Sequence, residues 1–266
     1  MKPAAFDYHA PDSLERALEL LAEDSLEVRV IAGGQSLVPM MNFRLAVPEA
    51  LVDLRRIAEL HRLEVGADGV LEVGAGVTQA RLLRDERVRE GWPLLHAGVA
   101  HIGHPQVRSR GTICGSLAHH DPHGELPALA VALAARLVVA GAAGRREVAA
   151  EDFFVSYYEV ALEPGEMLVA VRFPAPAPGT GWGFREIARR RGDFALVGVA
   201  CLLAPGGLPR LAFFGVGDRP VLVCDLGAIA EAVQPLDDLH ASAEYRREAA
   251  AALAAEVVAQ ARERVA

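Results

Sequence analysis

The residues best placed to do chemistry lie in two glycine-rich stretches, Ile31-Ala-Gly-Gly-Gln-Ser-Leu37 and Gly111-Thr-Ile-Cys-Gly-Ser-Leu117. Peptide amides left unshielded by large side chains can converge on the oxygens of an anion, most often a phosphate. A pair of such stretches in one chain suits a ligand with two phosphates or a long nucleotide. Glycine permits positive φ and close approach, and Ser36 adds a hydroxyl. Neither spacing is G-x-G-x-x-G or G-x-x-x-x-G-K-[ST], so no common nucleotide signature is matched. Taken singly, Gly-Gly-x-Ser is also an ordinary turn.

The second stretch is the richer one. Gln106-Val-Arg-Ser-Arg-Gly-Thr-Ile-Cys-Gly-Ser116 combines amide donors with hydroxyls and the guanidinium groups of Arg108 and Arg110. Glu125 follows near the start of an apolar segment. Its carboxylate has two open readings: an acceptor for a ligand hydroxyl such as that of a ribose, or a favourable partner of a helix dipole. Six of the nine histidines fall between His96 and His123. His119-His-Asp-Pro-His123 contains zinc-ligand types, but Pro122 works against a regular helix and no second ligand cluster follows. Ring hydrogen bonds or packing against a cofactor are therefore expected, and no metal site. Gly34-Gln-Ser-Leu-Val is not G-x-S-x-G, and Gly115-Ser-Leu lacks the strand-to-helix elbow that exposes a nucleophile. Asp152, Tyr157 and Tyr158 form no recognisable acid–base set, so no catalytic side chain is nominated.

The elements around these stretches follow from pattern. Asp12-Ser-Leu-Glu15 reads as a capping box, with Leu14, Leu18 and Leu21 on one helical face up to Asp24. Val28-Arg-Val-Ile31 is a short strand running straight into the first glycines. Leu51 to Leu54 and Val70 to Gly74 are further strands; Thr78 to Asp85 and Trp92 to His101 read as helices. Glu125 to Ala135 is a helix with Pro127 in its first turn, where a missing N–H costs little, and Arg136 to Ala140 a strand. Pro174-Ala-Pro-Ala-Pro-Gly-Thr-Gly181 breaks all periodicity and marks the best domain boundary. Strands at 182–190, 194–203 and 208–216 precede an Ala-rich helix from about Ser242, a pattern expected of a small α+β domain with an antiparallel sheet.

At 266 residues the chain can bury a substantial core. A formal charge of −8 argues against non-specific nucleic-acid binding. Cys114, Cys201 and Cys224 are too far apart for a C-x-x-C pair or a cluster site, and fit free thiols in a reducing cytosol. Met1-Lys-Pro-Ala-Ala-Phe6 lacks an apolar signal core, and no run reaches bilayer length. The expectation is a soluble, cytoplasmic protein with no membrane insertion.

With these features laid out, the sequence resembles the FAD-binding medium subunit of the molybdenum hydroxylases, of the carbon monoxide dehydrogenase medium-subunit branch and related to the flavin domain of xanthine dehydrogenase. Four motifs in order carry the likeness. They are Ala32-Gly-Gly-Gln-Ser36, the long stretch from Ile102 through Pro127, Phe184-Arg-Glu-Ile-Ala-Arg-Arg-Arg-Gly-Asp-Phe-Ala-Leu-Val197, and His240-Ala-Ser-Ala-Glu-Tyr-Arg-Arg247. The resemblance implies an α+β fold: an FAD-binding domain of two α+β subdomains over 1–176, of the PCMH type, and a small C-terminal domain of antiparallel sheet plus helices over 177–266.

By position, the resemblance places Ala32, Gly33, Gly34, Gln35, Ser36 and Leu37, together with Gly111, Thr112, Ile113, Cys114, Gly115 and Ser116, on the FAD diphosphate. Ile102, with Gly103 beside it, falls where an apolar or aromatic residue packs near the flavin. Glu125 falls where an aspartate usually binds the cofactor, and Leu168 where a leucine contacts it. There are departures: Cys114 stands where glycine is common, Ser116 where asparagine is frequent, and no lysine occurs at Arg185 or Glu186. The implied role is electron transfer through FAD. The implied partners are an iron–sulfur small subunit and a molybdenum-cofactor large subunit, assembled as a dimer of heterotrimers, with an external electron acceptor. Two other readings remain at this point: a self-sufficient single-chain FAD oxidoreductase, and a non-enzymatic nucleotide-binding module.

Overall fold

Three parallel strands, in the order Asp7–His9, Ala50–Asp53, Val28–Ile31, make a small sheet near the N-terminus. The computed structural model describes residues 2–23 and 26–266. Ala50–Asp53 is central and wholly buried, as its unbroken apolar run up to Asp53 requires. Helix Leu14–Leu21 packs on this sheet through Leu14, Ala17 and Leu20. Its cap is Ser13, whose hydroxyl oxygen accepts from the Arg16 amide at 3.2 Å, one residue later than a box starting at Asp12. Met1 and Asp24, the ends of two sequence expectations, lie outside the described residues.

A second sheet is antiparallel throughout, in the order Leu63–Val65, Leu71–Gly74, Met167–Phe173, Arg136–Gly141, Gly144–Ala149. Its central strand, Met167–Phe173, had no counterpart in the sequence reading. One face bears the short helices between Gln79 and Ala132, and the other carries charge pairs such as Arg172 with Glu72 and Glu147. The helix Glu125–Ala132 is buried on every side. A helix that is apolar all round must be enclosed, and this one lies between the second sheet's helices and the third sheet.

The third sheet is an antiparallel meander of Gly181–Ala188, Ala195–Leu203, Arg210–Phe214 and Val221–Val223. Alternation assigns its two faces. Val197, Val199, Cys201, Leu211 and Phe213 meet the terminal helix Ala243–Arg264, while Ala200, Ala212 and Phe214 join the core around Glu125–Ala132. The terminal helix approaches closely at Gly183, where a Cβ would press on the Val257 carbonyl oxygen and lie 2.9 Å from the Val257 Cα. Ser242 caps that helix, its hydroxyl oxygen accepting from the Tyr245 amide at 3.2 Å. The fold is thus α+β, with an all-antiparallel C-terminal sheet under one long helix. Among the described residues, no helix is long and apolar enough to cross a membrane.

Candidate functional site

The two glycine stretches meet. Strand Val28–Ile31 ends at Ala32, and the backbone of Gly33 lies directly against Arg110 and Gly111. A Cβ at Gly33 would press on the Arg110 carbonyl oxygen and come within 2.8 Å of the Gly111 Cα. A Cβ at Gly115 would lie 3.8 Å from that of Ala32, so the start of one stretch faces the end of the other. Gly34 has φ of 71°, and the chain then turns into helix Leu37–Asn42. Ser36 precedes that helix without a side-chain capping bond, which leaves its hydroxyl uncommitted.

The second stretch is not loop throughout. It contains the helices Pro105–Arg110 and Ile113–His119, separated by Gly111-Thr112. Pro105 suits the first helical position, and the Thr112 hydroxyl oxygen caps the second helix by accepting from the Gly115 amide at 3.0 Å. A local cap of this kind is easily overlooked in a glycine-rich segment. The turn is fixed from outside: Thr78 bridges to Thr112, the Gln79 amide donates to Gly111 O at 2.8 Å, and the Ile113 amide donates to Val77 O at 3.2 Å. Among the described residues, the amides of Gly33, Gly34, Gln35, Ser36 and Cys114 donate to no protein oxygen. Open amides on two abutting backbones are what an extended diphosphate needs, so the residues present fit an FAD diphosphate.

Cys114 keeps its side chain out of this cradle. It is 2% exposed, its thiol donates to Val73 O at 3.6 Å, and burial pushes the thiol pKa up. The departure from glycine is thus absorbed by the core, and the position still presents its amide. Cys201 is buried too, and burial pushes its thiol up to about 12. Under native conditions, thiol reagent is therefore expected to modify the exposed Cys224 alone, with Cys114 and Cys201 following only on unfolding. Peptide mass mapping checks this, and native labelling of Cys114 would contradict its placement.

Ile102 and Gly103 follow helix Pro93–His101, with Gly103 at φ of 45°. Arg108 secures them, donating to Ile102 O at 2.7 Å and Gly103 O at 3.0 Å. Glu125 opens the enclosed helix and is 5% exposed. Burial first, then the negative charge of Glu186, push its carboxyl up to about 8; Asp121 adds to this, while a hydrogen bond from its own backbone amide and the charge of Arg108 oppose it. Leu168 is buried in Met167–Phe173, on the sheet that carries helix Ile113–His119. It shares the core with the site, and no direct tie to the glycine stretches is seen among the described residues.

Several residues here carried no sequence signal. Gln79 is buried, with its Oε1 unpartnered beside Gly111. Glu186 brings a second carboxylate from the C-terminal sheet, with its Oε1 3.1 Å from His101 Nδ1. They come together only through strand pairing and helix packing distant in sequence.

The remaining histidines tie loops to sheets. His120, left-handed at φ of 45°, has Nδ1 3.1 Å from Glu159 O and its ring against Phe154. His123 Nδ1 lies 2.8 Å from Ala195 O, and the Gly215 amide donates to Pro122 O at 2.9 Å. His119 packs on Tyr158, whose hydroxyl donates to Asp121 at 3.3 Å. Burial lowers the pKa of both His119 and His120 and favours neutral rings. The His123 and Pro122 contacts latch the 119–123 turn onto the C-terminal sheet, and those of His119 and His120 tie it to the hairpin of Phe154–Ser156 and Glu159–Val160.

Comparison with known proteins accords with this geometry. Residues 4–176 match the family model described as the FAD binding domain in molybdopterin dehydrogenase. The chain is 41% identical over 207 residues to the carbon monoxide dehydrogenase medium chain of Hydrogenophaga pseudoflava, covering 78% of this chain and 72% of that one. It is 36% identical over 269 residues to the 6-hydroxypseudooxynicotine dehydrogenase complex subunit alpha of Paenarthrobacter nicotinovorans, covering 92% of this chain and 90% of that one. A solved carbon monoxide dehydrogenase from Hydrogenophaga pseudoflava superposes with a TM-score of 0.95 at 34% identity, covering 100% of both chains.

Proposed function

Because the chain belongs to the family of FAD-binding domains of molybdopterin dehydrogenases, oxidoreductases whose cofactor here is FAD, we propose that it is the medium subunit of a multi-subunit molybdenum hydroxylase, passing electrons from an iron–sulfur partner to an external acceptor. The observation that carries this reading is the contact of the two glycine stretches, with open amides on both. FAD supplies the electron-carrying chemistry when bound. The chain's own residues bind and orient it. The backbones of Ala32 to Leu37 and of Gly111 to Ser116 hold the diphosphate, Arg110 lends positive charge at the junction, and Ser36 adds its hydroxyl. Ile102, Gly103 and Leu168 shield the ring system from water, and Glu125 meets the cofactor from the enclosed helix. Residues 1–176 form the FAD-binding domain and 177–266 the C-terminal one, latched by the 119–123 turn.

The partners in this reading are an iron–sulfur small subunit and a molybdenum-cofactor large subunit, as a dimer of heterotrimers in the cytoplasm. Substrate selectivity then resides in the large subunit; relatives are named for carbon monoxide and for 6-hydroxypseudooxynicotine. Purification from the native host tests the proposal. The expected result is a complex containing iron, molybdenum and one FAD per copy of this chain. A lone yellow chain that turns over a substrate unaided would favour the self-sufficient oxidoreductase instead, and isolation without flavin would overturn the reading.

A further inference from the structure

Val77, Thr78 and Gln79 brace the second glycine stretch. The Ile113 amide donates to Val77 O at 3.2 Å, Thr78 bridges to Thr112, and the Gln79 amide donates to Gly111 O at 2.8 Å. Gln79 is also the first residue of helix Gln79–Arg84, which the Thr78 hydroxyl oxygen caps by accepting from the Arg81 amide at 3.2 Å. Glutamine is mostly an exposed residue, because its carboxamide loses hydrogen bonds to water on burial. This one is 3% exposed. Its carboxamide fills the space that a side chain on Gly111 would need: a Cβ there would lie 3.2 Å from Gln79 Oε1 and 3.4 Å from Gln79 Cδ. The Val107 carbonyl oxygen borders the same point at 3.1 Å and already accepts from the Gly111 amide at 2.7 Å. Gly111 therefore meets the Gln79 side chain where its own would be, while its Cα lies against the Gly33 backbone.

We propose that Gln79 is a positioning residue of the diphosphate cradle, acting through Gly111: its side chain fills the notch left by the missing Cβ and sets how closely the Gly111-Thr112 turn stands to Gly33. This rests on the FAD reading above. The bonds from Gln79 N to Gly111 O and from Ile113 N to Val77 O are made by main-chain atoms and would survive a change of side chain, yet alone they leave the notch empty. Oε1 is buried there without a hydrogen-bond partner, so the oxygen is held by fit and not by a polar contact. Hydrogen bonds weaken steeply with misalignment. A turn free to shift would thus present the open amide of Cys114 less well to a phosphate oxygen.

The test uses the full apo chain, titrating FAD by quenching of its fluorescence, with ADP and AMP as competitors and thermal unfolding run alongside. Gln79→Ala empties the notch and is expected to weaken FAD and ADP by about tenfold and AMP by less, so that the preference for a diphosphate shrinks. A merely structural role would lower the unfolding temperature and leave that preference unmoved. Gln79→Met keeps the length and bulk; it should bind FAD as wild type does and unfold at a slightly higher temperature, because the unpartnered oxygen is gone. Gly111→Ala alone should also weaken FAD by about tenfold, since its methyl meets a filled notch. Combined with Gln79→Ala, that methyl takes the vacated space, and the pair should bind better than either single variant. The proposal is overturned if Gln79→Ala binds FAD like wild type, if Gln79→Met binds as weakly as Gln79→Ala, if the ADP-to-AMP preference is unmoved, or if the losses of the pair simply add. If wild type binds no FAD while the pair is still coupled in its unfolding temperature, the filled notch stands and it is the FAD reading that fails, taking the cradle role with it.

Discussion

An Arg246→Ala chain is expected to lose about 1–3 kcal/mol of stability, the cost typical of leaving buried acceptors without their donor. Arg246 is 2% exposed, although it lies on an Ala-rich helix whose other charges face water. Its guanidinium donates to Leu196 O and to Gly215 O on the C-terminal sheet and pairs with Asp238 at 2.6 Å. Truncation strands two carbonyls, removes the partner of Asp238 and leaves a cavity beneath the helix. The effect should also depend on pH. Burial alone would raise the Asp238 carboxyl, but the amides of Ala241 and His240 and the Arg246 guanidinium together hold it down at about 2. A lowered carboxyl contributes stability that is present above its unfolded value of 3.8 and is lost as pH falls through the folded one. The gap between wild type and variant in denaturant titrations should therefore be full at neutral pH and narrow between pH 3.8 and about 2. An unchanged midpoint at neutral pH would refute the stapling role. Because Leu196 adjoins Ala195, the acceptor of His123, the variant should also retain FAD less well.

Gly33→Ala is expected to leave the sheets folded and to weaken FAD binding by about 10- to 100-fold. The added Cβ would meet Arg110 O and lie 2.8 Å from Arg110 C and Gly111 Cα, all of them backbone, so no side chain can swing aside. The two stretches must part, and overpacking of this kind costs about 1–3 kcal/mol. If that strain falls on the bound state, each 1.4 kcal/mol is roughly a factor of ten in affinity. Gly91→Ala is the control, since nothing lies within 4 Å of a Cβ there. Fluorescence titration with FAD on both variants decides the matter: equal affinity for the two would mean that the abutment plays no part in holding the cofactor.

Much of the site was legible because it is built from local chemistry. Glycines after a β-branched run, a proline in the first turn of an apolar helix and a Pro/Ala break are all signals within a few residues. They pointed to Gly33, Gly34, Gly111 and Gly115, to the start of the enclosed helix at Glu125, and to the change of pattern near Pro174. The helix Ile113–His119 went unread because Thr112 caps a segment too short and too glycine-rich to show periodicity. The strand Met167–Phe173 is a nearly continuous apolar run, the pattern least able to announce its own conformation.

By itself, the sequence determined which backbones are bare enough to approach a phosphate, the antiparallel α+β character of the C-terminal part, and the motif order that matches a flavin-binding family. Only the tertiary structure decided that Gly33 touches Gly111, that Cys114 turns inward, and that Glu186 meets His101. The physical reason is range. Amide exposure and helix caps depend on neighbours along the chain. Burial, charge pairing and backbone abutment depend on strands and helices brought together from distant parts of the chain, His101 and Glu186 being 85 residues apart.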